Sequence, residues 1–499
     1  MLVSFVALYL FISIAIGLLA ATRVHNAKDF AVAGRHLPLP VVMATVFATW
    51  FGAEAVFGVS ATFVKEGLRG VVADPFGSSL CLILAGFFFA TQLYRLNILT
   101  LGDYYRLRYN RTVEVLTTLC IVVSYLGWVS AQIKALGLLF NIVTDGALSV
   151  EAGMILGAAV VLTYTTFGGM LSVAILDFVQ MGVIIGGLLF IAWLISDQTG
   201  GVAPVIAHAR DAGKLDFFPP PNAQEWLGFL AAWITMMLGS IPQQDVFQRI
   251  TSAKTARIAV LGSVLGGVLY FLFTFVPMFI AYAATLIDPV LFNHLLAQDA
   301  QRVLPTLVLQ HTPLIAQAIF FGAVLSAIMS CSSATLLAPS VAFAENIVKG
   351  FFPNMGDHRF LWVMRACIVV FALLVLAYAL SSEASIFRMV ESAYKITLAG
   401  AFVPLVFGAF WSRASNQGAL AAIVGGVLAW ILVESLLGEA SPLPAQLIGL
   451  AISTLGMLAG SLLPQWIGHD VDGRSARDRH AVLHHRAAAQ THHTIKSGH

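Results

Sequence analysis

The chain has 499 residues, of which 59% are hydrophobic and only 10% charged, with a net charge of +2. Soluble domains carry about 25% charged residues, whereas here apolar stretches long enough to cross a bilayer recur from end to end. The composition indicates a polytopic membrane protein. It excludes a soluble enzyme, a secreted disulfide-rich scaffold and a protein that binds nucleic acid.

Thirteen membrane spans are predicted along the chain. The first apolar run follows Met1 directly, without a basic segment, and is too long for a signal-peptide core, so we expect it to be retained. The predicted spans are about 2–21, 38–63, 71–93, 112–143, 150–167, 172–196, 226–246, 257–285, 314–347, 361–381, 387–411, 416–437 and 443–467.

The distribution of basic residues predicts the orientation. With the N-terminus outside, the cytoplasmic segments hold nineteen Lys and Arg residues and the external loops hold five. Because cytoplasmic loops are enriched in Lys and Arg, we expect an external N-terminus and a cytoplasmic C-terminus. The compact loops favour a bacterial inner membrane.

The C-terminal segment 469–499 is polar and rich in histidine. Six of its seven histidines could bind a metal, but a solvated, disordered tail is the favoured interpretation. They are His480, His484, His485, His492, His493 and His499.

Two spans carry signals for a break near the middle of the membrane. Span 2 contains Gly52 and Glu54, and span 7 contains Gly239 and Pro242. Proline removes a backbone donor, and unpaired backbone is tolerated at membrane depth only where it lines a cavity. Glycine and proline are, however, also common in ordinary membrane helices.

The spacing of these two spans favours a transporter. They are five spans apart, so they begin two consecutive groups of five. Since five is odd, the two groups insert with opposite topology. Broken helices at matching positions of an inverted repeat indicate the binding site of a secondary transporter.

Span 9 contains a cluster of small polar side chains between Ser326 and Thr335. Such residues can serve as packing contacts between helices, or their hydroxyls can bind a hard cation such as sodium, with Asp177 of span 6 supplying charge.

All thirteen histidines fall in loops or the tail. This argues against an intramembrane metalloenzyme or a Ser-His hydrolase.

Charged residues at membrane depth suggest two ion pairs. Glu54 and Lys134 are both predicted near mid-membrane, where pairing would reduce the cost of desolvation. Glu391 and Lys395 are four residues apart on one helix and can pair locally. Because Glu54 lies at the expected break, it is either structural or in contact with substrate.

Two segments resemble motifs of the sodium/solute symporter family. Residues 30–35 resemble its F-x-x-A-G-R segment, and residues 168–180 are similar to its signature G-G-x-x-[SA]-V-x-x-T-D-x-x-Q. Within the family, residues 48–50, 241–249 and 327–330 look most like the branch of high-affinity choline transporters. The similarity runs from about residue 5 to 435.

The resemblance implies an all-α fold of the leucine-transporter type with a 5+5 inverted repeat. A single transmembrane domain would cover 1–468, with the repeats at about 38–196 and 226–411. The helices 2–21, 416–437 and 443–467 would be peripheral. Sodium-coupled uptake of a small solute by alternating access is the implied function.

The resemblance also implies a sodium site between spans 2 and 9. Its ligands would be the backbone carbonyls of Ala48, Phe51 and Ala327 and the side chains of Ser330 and Cys331. Asp177 of the signature would lie nearby. Cysteine replaces the serine or threonine of the family, and sulfur is a poor ligand for sodium. Ser332 or a water could substitute, the site could be weak, or coupling could use protons.

The choline branch holds its quaternary ammonium between aromatic faces, by cation–π attraction. Trp50 and Trp128 match two of these aromatics, but Gln243 replaces a tryptophan and Glu54 replaces a glycine. With Gln244, these residues are expected to line the substrate site. We therefore expect an amine-bearing solute other than choline.

The closest alternative is a proton-coupled transporter in which Glu54 or Asp177 carries the proton. A sensor built on the same fold is a further alternative. The tail of about 30 residues argues against it, because such proteins usually need a signalling domain.

Overall fold

The structure is a computed structural model that describes residues 1–467 except 23, 25, 439, 440 and 442, together with 481 and 483. The regular secondary structure of the described residues is helical, apart from one isolated bridge between Leu37 and Ala253. The histidines of the predicted tail lie outside the described residues.

The helices follow the predicted spans closely. In chain order they are Leu2–Ala21, Leu39–Trp50 with Glu54–Glu66, Leu68–Arg95, Arg111–Val143, Val150–Gln198, Ala223–Gly239 with Gln244–Ser252, Ala256–Ile287, Leu314–Phe351, Asp357–Ser381, Ile386–Phe410, Asn416–Leu436 and Ala445–Leu462. Short helices lie between spans at Ala27–Val32, Leu101–Arg108, Val202–Asp211, Pro289–Gln298 and Val303–His311.

Ten of these segments, among the described residues, are long and apolar enough to cross a membrane, or eleven with the bent pair Leu39–Trp50 and Glu54–Glu66. Val150–Gln198 has 49 residues, which is about 73 Å of helix against about 30 Å of hydrocarbon, so it holds spans 5 and 6. Span 7 is divided into two short halves. Counted in this way, the described chain has the thirteen expected spans.

Burial separates a central bundle from a periphery. The apolar window of span 9 is 78% buried, whereas those of spans 1, 12 and 13 are 17%, 22% and 28% buried. Span 9 therefore lies at the centre of the bundle, and spans 1, 12 and 13 are the least buried.

Gly169 joins spans 5 and 6 and brings the two sequence motifs together. Its backbone has φ 53° and ψ −156°, a conformation essentially restricted to glycine. A Cβ atom at this position would lie 2.6 Å from the ring and carbonyl oxygen of Phe30. The first motif therefore packs against the start of the second, which fixes the position of Asp177 further along span 6.

We expect Gly169→Ala to destabilise the protein, because the backbone strain alone costs about 1–3 kcal/mol and the added methyl group meets Phe30. The purified variant should unfold at a lower temperature than the wild type. Gly182→Ala is the matched control, since that glycine is exposed on the same helix with open space around it. Equal melting temperatures for the two variants would contradict this account of the joint.

Candidate functional site

Span 2 is broken between Trp50 and Glu54, as predicted. The amide of Gly52 donates to the carbonyl of Trp50, 2.9 Å away, and the amide of Ala53 donates to Oε1 of Gln132 on span 4, 2.8 Å away. In a continuous helix these amides would bond the carbonyls of Ala48 and Thr49. Both carbonyls are therefore left without their helical partners.

Span 7 is broken between Gly239 and Gln244, also as predicted. Pro242 in this loop has no amide proton. The Gly239 carbonyl accepts a hydrogen bond from the hydroxyl of Thr397 on span 11, at 2.7 Å. The amide of Asp245 donates to the hydroxyl oxygen of Tyr125 on span 4, at 2.8 Å. Side chains of two other spans thus satisfy both ends of the break.

Spans 2, 6 and 9 meet in a group of buried oxygens. The Ser330 hydroxyl donates to the Ala48 carbonyl at 3.1 Å and also bonds one oxygen of Asp177. The Thr45 hydroxyl bonds the other oxygen of Asp177. Three of the residues expected at the sodium site are therefore in direct contact, and Thr45, one turn before Ala48, joins them.

The remaining residues of the expected sodium site lie beside this group. Cys331 faces the break, because its sulfur is 2.8 Å from the position that a Cβ on Gly52 would take. Phe51 and Ala327 are buried, at the break and one turn before Ser330 respectively. Ser332 donates instead to the Ile328 carbonyl of its own helix at 2.6 Å. The contacts therefore do not favour Ser332 as a replacement for Cys331.

Trp50 and Trp128 lie in a cluster of four aromatic rings. Their centroids are 5.3 Å apart, and Tyr394 of span 11 is 5.7 Å from Trp128 and nearly parallel to Trp50 at 6.3 Å. Tyr125 stacks on Trp128 at 5.8 Å. Sequence reasoning missed the two tyrosines, because single tyrosines in apolar helices are also common as packing residues.

A buried charged group lies under this aromatic cluster. Asp245 accepts hydrogen bonds from Nε1 of Trp50 at 3.1 Å and from the Tyr125 hydroxyl. Arg249, one turn further along, donates to the Thr49 hydroxyl at 3.0 Å and to the Asp245 carbonyl at 3.3 Å. Asp245 and Arg249 thus connect the two breaks.

The two expected glutamines have different surroundings. Gln243 bonds Ser124 of span 4 at 2.9 Å and Thr397 of span 11 at 3.4 Å, so it lies between the break and its neighbouring spans. Gln244 accepts from the amide of Leu101 at 2.9 Å. The Gln244 oxygen is therefore turned toward the short helix Leu101–Arg108.

Glu54 is 4% exposed, and its Oε1 has no hydrogen-bond partner in the described part of the chain. The predicted pairing with Lys134 is wrong, because the Lys134 ammonium donates to the carbonyls of Ser382 and Ala384 at 3.1 and 2.7 Å. Its long side chain reaches the end of span 10 instead of the break.

The predicted pair of Glu391 and Lys395 is also wrong. Arg388 lies 3.0 Å from Glu391, and Glu434 of span 12 lies 3.0 Å from Lys395. Both partners are more exposed than the residues they pair with, so these contacts lie at the edge of the bundle.

A polar vestibule of about 940 Å³ opens above the breaks, lined by residues that include Gly58, Glu66, Lys134, Phe387 and Glu391. Gly58 is one turn beyond Glu54, and a Cβ on it would lie 3.3 Å from Phe387. This close contact between spans 2 and 11 forms the floor of the vestibule.

The opposite end of the bundle is closed by contacts between distant segments. Arg35 donates to the Tyr94 carbonyl at 2.5 Å. Arg108 donates to the carbonyls of Gly408 and Trp411 at 2.9 and 3.1 Å. Hydrogen bonds between distant segments therefore hold this end together, whereas the vestibule lies at the other end.

Solved structures share this fold. The chain matches a sodium-coupled sialic acid symporter, in a substrate-bound outward-open state, with a TM-score of 0.79 and 18% identity over 93% of this chain and 97% of that chain. MhsT in complex with L-phenylalanine matches with a TM-score of 0.55 and 13% identity, over 85% of this chain and 98% of that one. The predicted leucine-transporter fold, with its two broken helices, is confirmed.

The sequence comparisons give the family. The human high affinity choline transporter 1 is 27% identical over 449 residues, which cover 85% of this chain and 75% of that protein. The sodium/proline symporter of Haemophilus influenzae is 28% identical over 487 residues, covering 91% of this chain and 93% of that protein. A family model described as the sodium:solute symporter family matches residues 30–426.

The chain belongs to the sodium:solute symporter family. It is a multi-pass membrane transporter and not an enzyme, and sodium is its coupling ion. The function predicted from the sequence, sodium-coupled symport of a small solute, is confirmed at this level.

Asp177 holds two hydroxyl groups of the candidate sodium site, so Asp177→Asn should weaken sodium binding. Loss of such an outer partner typically lowers metal affinity about 10–100-fold. The measurement is the sodium concentration that gives half-maximal thermal stabilisation of the purified protein. Asp197→Asn, an exposed residue near the end of the same helix, is the control. An unchanged midpoint in Asp177→Asn would remove Asp177 from the site.

Proposed function

We propose that the protein couples the entry of sodium to the import of a small solute that carries a cationic amine. The observation that carries this proposal is Glu54, a buried carboxyl group at the break of span 2 whose Oε1 has no hydrogen-bond partner among the described residues. A carboxylate at membrane depth is expensive unless a positive charge compensates it. The two sequence relatives are named for choline and proline, and both of these solutes carry a positively charged nitrogen.

The proposed substrate site lies between the two breaks. Trp50 and Trp128 offer aromatic faces, which attract cations, and Glu54 offers charge. Gln243 supplies hydrogen-bonding groups at the break of span 7, and Gln244, at the start of the second half-helix, is the fifth residue of the proposed site. Tyr394, whose hydroxyl has no partner among the described side chains, belongs to this set on the basis of its ring contacts.

The proposed sodium site lies between spans 2 and 9. Its ligands are the carbonyls of Ala48, Phe51 and Ala327 and the side chains of Ser330 and Cys331, with Asp177 behind them. The fit is supported by the buried oxygens at this point and by the Ala48 carbonyl, which lacks its helical amide. Oxygen ligands suit a hard cation, and only the Cys331 sulfur departs from that pattern.

Sodium bound at this site would connect span 2 to span 9 and so favour the conformation with the open vestibule. Substrate would reach the breaks when the contact between Gly58 and Phe387 opens, and re-formation of this contact would precede opening of the other side. Coupling requires that each ligand bind one conformation more tightly than the other.

The membrane potential contributes about 2.3 kcal/mol per charge per 100 mV to the driving force for uptake. The repeats at about 38–196 and 226–411 would move against each other.

We propose that the vestibule faces the outside of the cell. The basic residues predicted to be cytoplasmic include Arg35 and Arg108, and both lie at the closed end. Lys65 and Arg69, predicted to be external, line the vestibule. An external N-terminus and a bacterial inner membrane complete this proposal.

Uptake into proteoliposomes tests the transport proposal. Radiolabelled amines should accumulate when an inward sodium gradient is imposed, and should not accumulate when the gradient is absent. A pH gradient without sodium is the control for proton coupling. Accumulation driven by the pH gradient alone would contradict the proposed sodium site.

Cys331→Ser should strengthen sodium binding, because it replaces a soft sulfur with a hard oxygen at the break. We expect the sodium concentration for half-maximal uptake to fall about three- to tenfold. Cys367→Ser, which changes a cysteine of span 10 that is only partly buried, is the control. If Cys331→Ser leaves the sodium dependence unchanged, the side chain at position 331 is not a ligand.

Glu54→Gln should weaken amine uptake, because it removes the negative charge and leaves the shape of the side chain. Hydrogen bonds to charged groups are worth about 1.5–3 kcal/mol, so a loss of about tenfold or more in apparent affinity is expected. Glu383→Gln, an exposed residue of the vestibule, is the control. Equal uptake by both variants would contradict the role of Glu54.

A further inference from the structure

A second buried carboxylate lies beside the break of span 2. Asp74, on span 3, is 1% exposed. The Tyr270 hydroxyl of span 8 lies 2.6 and 2.7 Å from its two oxygens. The ring of Tyr270 also packs edge-on against Phe51, with centroids 6.1 Å apart, so Asp74 is held next to the residues of the break.

Glu54 lies at the same break, three residues after Phe51, so two buried carboxyl groups lie beside it. Glu391, which lines the vestibule, is acidic as well. Lys134 donates to two carbonyls at the end of span 10 and Arg249 donates to the Thr49 hydroxyl and the Asp245 carbonyl, so neither cation donates to Glu54 or Asp74. In the described chain, no salt bridge involves Glu54 or Asp74.

The pair also lacks hydrogen-bond donors. A carboxylate can accept about four hydrogen bonds. Asp74 receives the one proton of Tyr270, with Ser78 nearby on its own span. Glu54 Oε1 receives none from the described residues, and the buried hydroxyl of Tyr394 has no partner among them either. This part of the break, rich in acceptors, is therefore complementary to a cation that carries N–H groups.

We propose that Glu54 and Asp74 together bind the protonated nitrogen of the substrate. The site would therefore select ammonium groups with N–H donors over quaternary ammonium groups. This inference rests on the proposed function and adds Asp74 as a specificity-determining residue. A primary ammonium has three N–H donors and can bridge the two carboxylates. A quaternary ammonium has none and leaves the buried oxygens unpaired, which is costly.

The test uses ethanolamine and choline, which have the same carbon skeleton and differ in the methyl groups on nitrogen. Binding to the purified protein in sodium is measured by quenching of tryptophan fluorescence, because Trp50 and Trp128 lie at the site. We expect ethanolamine to bind at least about tenfold more tightly than choline. Asp74→Asn should remove most of this preference by weakening ethanolamine while leaving choline nearly unchanged.

Two further variants keep the test informative if Asp74→Asn folds poorly. Asp74→Glu retains the charge and should retain the preference for ethanolamine. Tyr270→Phe removes the hydroxyl and leaves both carboxylates, so it should retain the preference too. Sodium-dependent thermal stabilisation of each variant without amine reports whether the protein is folded.

The possible results separate this inference from the proposed function. Wild-type affinity for ethanolamine in Asp74→Asn overturns the role of Asp74, and loss of ethanolamine binding in Glu54→Gln at the same time would leave the proposed function standing. Choline binding as tight as ethanolamine binding overturns the selectivity. If neither amine binds the sodium-loaded wild type at millimolar concentrations, the amine substrate and this inference both fail.

Discussion

The arrangement of the site depends on backbone carbonyls that lose their helical partners at mid-membrane. When the amides of Gly52 and Ala53 turn to Trp50 and Gln132, the Ala48 and Thr49 carbonyls must find other partners, because hydrocarbon supplies none. The hydroxyl of Ser330 meets Ala48 and is itself held by Asp177. Because the Ala48 carbonyl needs a new partner, spans 2, 6 and 9 pack together around it. The oxygens gathered there are the kind of ligands that a hard cation needs.

The sequence was sufficient to predict the features set by backbone chemistry. Glycine and proline marked the breaks, and their spacing of five spans predicted the repeat. Side-chain contacts that depend on how a helix is rotated about its own axis were harder to predict. Lys134 and Glu54 are both predicted near mid-membrane, yet Lys134 turns to the end of span 10. Tyr394 and Asp74 were missed because one tyrosine or one aspartate in an apolar span does not reveal which helix it will face.

The contacts of Gln243 and Glu54 explain together why these two residues differ from the choline branch. Gln243 takes the place of an aromatic wall and bonds Ser124 and Thr397 instead. Glu54 adds a carboxylate at the break, next to Asp74. Recognition by aromatic faces alone suits a methylated cation, whereas carboxylates with free acceptor capacity suit a nitrogen that carries protons. The proposed site thus combines part of an aromatic cage with two buried carboxyl groups.

Equilibrium binding of radioactive sodium to the purified protein tests the central claim most directly. Ser330→Ala removes the one hydroxyl that joins the Ala48 carbonyl to Asp177, and leaves the helix otherwise unchanged. The account predicts saturable sodium binding by the wild type and a large loss of that binding in Ser330→Ala. Sodium binding of wild-type affinity in this variant would show that the ion lies elsewhere and would contradict the account.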